Sequence, residues 1–343
     1  MLLIPVGLFF DPTLRAAVKY SDPVGGNIIT LRGAVNGVPK VNTFSIAVRL
    51  PVGSSLTGKA HGALSGVTAT TLSDSSAGWS SGALSQAATP YFVKMRSGAA
   101  AGTWWQISTS TANTASTVTV LNRGLSPTAA GISIGDAYEL VPGDTLATFF
   151  GGIASSIGGV DSAHADAVRL HDGTIWREYY FNTSSGIMQW REGSVPFNRN
   201  NIIIRPDSGV VYYRRATGDI TLGIVGTVAT ANERVTVRSA LGITVVGSAF
   251  PITRTLGSLN IQDMPGFVKN SGTLAAADKV TLFDGTIWKN FNYNISASQW
   301  REGTAPFNRN NFVIPYGAPV IIERGTDSTG DPVLLILKNP YSL

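Results

Sequence analysis

The chain has no cysteine among its 343 residues, so no disulfide and no thiolate metal site can form within it. Histidine is nearly absent too: His61, His164 and His171 are all there is. Charged residues make up only 14% of the chain, well below the roughly 25% of an average soluble domain. The net charge of +5 is dispersed, with Arg214–Arg215 the longest basic run. A nucleic-acid binder concentrates its Lys and Arg on a stripe, so that class is not expected. No stretch approaches the roughly 20 apolar residues of a membrane-spanning helix, and no membrane span is expected. Convincing helical periodicity is missing as well; only "TLATFFGGIASSI" reads as a short helix.

What the chain has is glycine, 38 residues of it, and short extended runs punctuated by turn residues. It also has a cassette used twice. "DGTIW" occurs at Asp172–Trp176 and Asp284–Trp288, "QWREG" at Gln189–Gly193 and Gln299–Gly303, and "PFNRNN" at Pro196–Asn201 and Pro306–Asn311. The match extends upstream, where "ADAVRLHDGTIW" aligns with "ADKVTLFDGTIW" and Thr145–Leu146 with Thr255–Leu256. A period of about 110 residues exceeds the 20–50 residues of a solenoid unit and reads as a duplicated domain. Within each copy, "AVRLHDGTIWREYYFN" reads as a hairpin closed by a two-residue Asp-Gly turn. "NIIIRPDSGVVYYRR" reads as strand, Pro-Asp-Ser-Gly turn, strand.

Residues 53–142 are rich in Ser, Thr, Ala and Gly and have no counterpart in the second copy. Their short strands, among them "YFVKMRS", "GTWWQIST" and "DAYELVP", read as a small barrel or sandwich. The expected fold is therefore all-β: two tandem duplicated β-domains with a small β-barrel or sandwich inserted into the first. The boundaries are an N-terminal extended segment 1–23, a first β-domain 24–52 and 143–228, the insert 53–142, and a second β-domain 229–343.

The "SDPVGG" opening, the "YFVKMRSGAAAGTWWQISTSTANTASTVTVLNRG" stretch, "GDAYELVPGDTLATFFG" and the "DGTIW…QWREG" hairpins resemble a family of secreted β-rich proteins. That family is found chiefly in verrucomicrobial bacteria. The resemblance spans most of residues 20–343. It implies a secreted β-fold and no established activity. The chain departs from the family at its front, where "MLLIPVGLFFDP" lacks the basic start and small-residue cleavage site of a signal peptide.

Catalytic signatures are present only in fragments. "GSSLTGKA" has Gly53, Gly58 and Lys59 of a phosphate loop, but Ala60 stands where a Mg²⁺-binding hydroxyl is required. "GWSSG" would make Ser80 a nucleophile, but it lies in a Ser-rich loop instead of a strand-to-helix elbow. Asp161, His164 and Asp166 read as a polar loop and not as a metal site. No enzyme activity, cofactor or metal is expected.

Two features remain. Trp176, Trp190, Trp288 and Trp300 sit in the cassettes with Arg199 and Arg309. Exposed, they would offer stacking faces and guanidinium groups to a glycan or a neighbouring subunit. Buried, they would anchor small β-cores, which is the expected role given that the turn chemistry is kept with them. At the N-terminus, Leu2, Ile4, Val6, Leu8 and Phe10 share one side of a strand. Such a strand can be donated to the next subunit, pack on its own domain, or be a processing remnant. The expectation is a homo-oligomeric or polymeric, non-enzymatic structural subunit at the cell surface or outside the cell, forming a filament or layer. The alternatives are a phage virion fibre or decoration protein, and a carbohydrate-binding cell-surface protein.

Overall fold

The computed structural model describes residues 24–49, 56–239, 241–328 and 332–341. The candidate donor strand Leu2–Phe10 lies outside the described residues. The described chain is all-β, built from antiparallel sheets with a few helical turns. The one expected helix forms as two short α-turns, Leu146–Phe150 and Ala154–Ile157, joined by a 3-10 turn over Gly151–Ile153. Thr145 caps it reciprocally with Thr148, and the turn places Leu146 and Phe150 in the core.

The two repeats share one pairing pattern. In the first, a five-stranded sheet runs Gln189–Glu192, Trp176–Asn182, Ala167–His171, Gly209–Arg214, Lys40–Ser45. In the second, the order is Gln299–Glu302, Trp288–Asn294, Lys279–Phe283, Val320–Glu323, Ile243–Val246. Each is faced by a smaller sheet: Val24–Leu31 with Ile220–Val228 and Val48–Arg49 in the first, Glu233–Val237 with Val333–Leu337 in the second. A two-residue ladder completes each, Asp144–Thr145 with Ile203–Ile204 and Arg254–Thr255 with Val313–Ile314. Alternation along the strands decides the core. Val168, Tyr179, Phe181, Trp190, Val210 and Tyr212 point inward in the first repeat, and Val280, Leu282, Phe291, Trp300, Val320 and Ile322 in the second.

Three sequence expectations are corrected here. The Asp-Gly turns are not two-residue type I′ loops. His171 pairs with Trp176, leaving four residues between, and Asp172 Oδ1 accepts the Thr174 and Ile175 N–H groups while only Gly173 takes positive φ. The Asp side chain thus builds an Asx turn that tolerates the longer loop. The strands flanking Pro206–Gly209 do not pair with each other: Ile203–Ile204 joins Asp144–Thr145, and Gly209–Arg214 joins the five-stranded sheet. The insert is not a closed barrel. It is one seven-stranded sheet whose edge strands, His61–Ala63 and Gly66–Val67, are consecutive in the chain. Leu64 and Ser65 carry the chain between the two edges and bond to Asp136, Gly135 and Ser73, so the sheet curls over its own core without a closing ladder.

The repeats meet through equivalent surfaces, the outer faces of their five-stranded sheets. Ser45, at the end of one edge strand, donates its hydroxyl to the Gly317 carbonyl. Gly247, after the matching strand of the second repeat, donates its N–H to the Asp207 carbonyl. Asp207 and Gly317 themselves occupy matching positions before the strands Gly209–Arg214 and Val320–Glu323. A Cβ on Gly209 would fall 2.1 Å from Pro319, its counterpart. The chain is therefore arranged like an isologous dimer held in one polypeptide. The insert packs on both: Trp104 Nε1 donates to Glu233 of the second repeat at 2.9 Å, and Phe92, Trp104 and Val141 pack with Ile203 of the first.

Candidate functional site

The cassette residues divide sharply by strand parity. Trp190 is 1% exposed and Trp300 0%, each at the centre of its repeat's core. Around Trp190 lie Phe150 and Phe181; around Trp300 lie Phe267 and Tyr293. These two rings are unavailable to a ligand. The "FNRNN" loop exists to hold them. Trp190 N–H donates to Asn200 Oδ1 and Trp300 N–H to Asn310 Oδ1, both at 2.8 Å. The Arg199 and Arg309 N–H groups return bonds to the Trp190 and Trp300 carbonyls, also at 2.8 Å. The loop thereby completes a strand edge that has no neighbouring strand.

Arg199 and Arg309 are half-buried and committed to charge ladders that the sequence reading missed. In the first repeat, Arg177 bridges Asp172 and Glu192 at 2.6 Å each, and Arg199 reaches the other Glu192 oxygen at 3.0 Å. In the second, Lys289 bridges Asp284 at 3.6 Å and Glu302 at 3.0 Å, and Arg309 reaches Glu302 at 3.1 Å. Partial burial pushes the Asp172 carboxyl up, but the Ile175 N–H, Arg177 and the Thr174 N–H outweigh it and hold it at about 2. The signal was the "E" of both QWREG motifs, repeated with the tryptophan.

A second duplicated pair is fully internal. Asp166 accepts from Tyr212 at 2.6 Å, from Arg214 at 2.5 Å and from the Arg215 N–H at 2.7 Å. Asp278 takes Arg324 at 3.0 Å and the Gly325 N–H at 2.7 Å. Asp166 therefore belongs to a buried ion pair, away from the exposed Asp161–His164 contact. Among the described residues no group of three His, Asp or Glu side chains converges as a metal site would require.

Trp176 and Trp288 behave differently. Both are half-buried on the outer faces, and both line one cleft of 280 Å³ where the two repeats meet. Its walls are matched pairs: Arg169 with Thr281, Trp176 with Trp288, Val211 with Ile321, Tyr213 with Glu323. Arg169 pairs with Glu178 at 2.6 Å and lies over the Tyr213 ring, while Thr281 donates its hydroxyl to Glu323 or Asn290. The cleft offers two indoles, a phenol, an arginine and a carboxylate. That is the donor, acceptor and stacking set that a polyhydroxylated ligand needs.

The remaining sequence candidates separate. Gly53 lies outside the described residues; Lys59 Nζ bonds Ser76 and, among the described residues, no helix follows it that could receive a phosphate. Ser80 sits in the loop between Ser73 and Tyr91, with its carbonyl accepting from Asn113. His171 is buried against Trp176, its Nδ1 accepting the Gly173 N–H, and burial draws its pKa down.

No protein-family model matches the chain, and neither a curated protein nor a solved structure does.

Proposed function

We propose that the chain is a non-enzymatic structural subunit that assembles outside the cell into a filament or surface layer. The observation that carries this reading is a repeated apolar display. Phe197 is 64% exposed and Phe307 66%; Ile175 is 51% exposed and Ile287 56%. A loop aromatic kept for its own core would be buried in at least one copy, as Trp190 and Trp300 are in both. Each repeat thus presents the same apolar pair beside the same charge ladder, on opposite halves of a dimer-like chain. A subunit with two equivalent contact surfaces polymerises when each meets its counterpart on another chain. Low overall charge and the resemblance to secreted β-rich proteins support an extracellular setting. Donation of Leu2–Phe10 to a neighbour would add a second linkage. A phage fibre or decoration protein would use the same surfaces, and neighbouring genes separate the two origins.

The test is light scattering with negative-stain microscopy on the full chain, on a chain lacking residues 1–19, and on Phe197→Ser with Phe307→Ser. Assemblies that vanish in the double variant support the repeated contact. Loss on truncation assigns the linkage to the N-terminal segment. A full chain that stays monomeric at high concentration overturns the reading.

The dyad cleft favours one second reading, a carbohydrate-binding surface protein. A glycan array on the wild type, Trp176→Ala and Trp288→Ala tests it. Binding that survives both substitutions removes the cleft from consideration.

A further inference from the structure

Two guanidinium groups face one cleft where both repeats and the insert come together. Arg123 follows the insert strand Thr117–Leu121, and Arg238 follows the strand Glu233–Val237 of the second repeat. The third wall is the Asp172–Ile175 turn of the first repeat, through Gly173 and Thr174. The cleft measures 360 Å³. Arg123 Nη1 and Arg238 Nε are buried and make no hydrogen bond, and among the described residues neither guanidinium has a carboxylate within ion-pair distance.

The nearby acids among the described residues are already committed. Asp172 accepts two backbone N–H groups and the Arg177 guanidinium. Asp207 takes Arg205 through two parallel bonds of 2.9 Å. Burial and the neighbouring Arg205 and Arg238 bring the Arg123 guanidinium down to about 10, against a partial offset from the Asp207 and Asp172 carboxylates, which are bonded to other partners. The second repeat provides an internal control. At its equivalent turn the Gly285 carbonyl accepts from Lys40 at 2.7 Å, and no insert contributes a second cation. The open pair is therefore created by the insert and belongs to one side of the molecule only.

A partly desolvated cation without a counter-charge is costly, and a bound anion removes that cost. Guanidinium forks fit the paired oxygens of a tetrahedral oxyanion. We propose that Arg123 and Arg238 bind a phosphate or sulfate group in this cleft, with the Gly173 turn as its floor. Because the three walls come from both repeats and the insert, the bound group also fastens their mutual arrangement. The site is independent of the assembly reading.

The test is calorimetric titration of the full chain with inorganic phosphate, with sulfate and with glycerol phosphate, at constant ionic strength. Melting temperature is followed in parallel. The expected result is saturable one-site binding that raises the melting temperature and weakens at least tenfold in Arg123→Gln and in Arg238→Gln. Equal binding of glycerol phosphate assigns the site to an esterified phosphate; binding of the inorganic ions alone assigns it to the free ion. Absence of both heat and stabilisation in the wild type overturns the proposal, a result that requires no variant to fold. Undiminished binding in both variants also overturns it.

Discussion

Replacing Asp278 by Asn changes one atom and removes one charge, and the expected loss is large. The carboxylate is 0% exposed and Arg324 beside it 2%, with Nε and Oδ2 3.0 Å apart. The other Arg324 nitrogens are held by the Arg238 and Gly266 carbonyls, so the guanidinium has no route to water. Asn leaves that charge buried without its counter-ion, which costs about 3–5 kcal/mol. It also offers one acceptor oxygen where the carboxylate received the Gly325 and Val268 N–H groups and the Ser328 hydroxyl on two. Urea unfolding followed by tryptophan fluorescence measures the effect, because Trp300 lies in the same core. The double variant Asp278→Asn with Arg324→Met removes the stranded charge and should recover about 2 kcal/mol or more of the loss. A single variant within about 1 kcal/mol of wild type would refute the reasoning, as would strict additivity of the two substitutions. Asp166→Asn, which strands Arg214, should behave alike in the first repeat.

Further outcomes are expected. Trp190→Ala and Trp300→Ala should each cost about 3–5 kcal/mol in the same urea titration, against far less for Trp176→Ala on the half-buried face. Gly102→Ala should loosen the insert from the second repeat, since φ there is +88° and a Cβ would meet the Asn232 carbonyl at 2.3 Å; limited proteolysis between the units reads this out. Gly209→Val should separate the two repeats at the Pro319 contact while leaving each core folded, visible as increased radius in small-angle scattering with unchanged β-signal. For pH, the Asp172 carboxyl is held at about 2, below its unfolded value of about 3.9. A depressed carboxyl stabilises above the unfolded value and loses that contribution as pH falls to the folded one. The first-repeat hairpin should therefore loosen between pH 4 and 2, followed by Trp176 fluorescence, and Asp172→Asn should abolish the transition. Identical acid profiles for the variant and wild type would count against the ladder.

Local chemistry was legible early. The repeated DGTIW, QWREG and FNRNN motifs are short-range devices contained within about a dozen residues, so a turn, a strand and a capped loop could be placed, although the DGTIW turn forms as a four-residue Asx loop instead of the expected two-residue turn. The alternation of apolar residues sufficed to place strands, whereas the single short helix expected over Thr145–Ile157 breaks into two turns around Gly151–Ile153. Less legible was which cassette tryptophan would face inward. Trp176 and Trp190 stand in similar extended runs, yet one lines a surface cleft and the other fills a core. Parity fixes which residues share a face, but the face that becomes interior depends on where the second sheet packs. The pairs Asp166–Arg214 and Asp278–Arg324 escaped for a related reason, because their partners lie more than 40 residues apart and no spacing rule joins them.

By itself, the sequence determined an all-β chain, a cassette used twice, and a stretch of foreign composition between the strands of the first copy. These follow from turn chemistry and side-chain alternation, which act between near neighbours. Only the tertiary structure decided that equivalent sheet faces would meet, that Trp176 and Trp288 would share a cleft, and that Arg123 and Arg238 would line one cleft together. Such juxtapositions come from packing between separately built units. Shape and desolvation select them, and neither is written into any local run of residues.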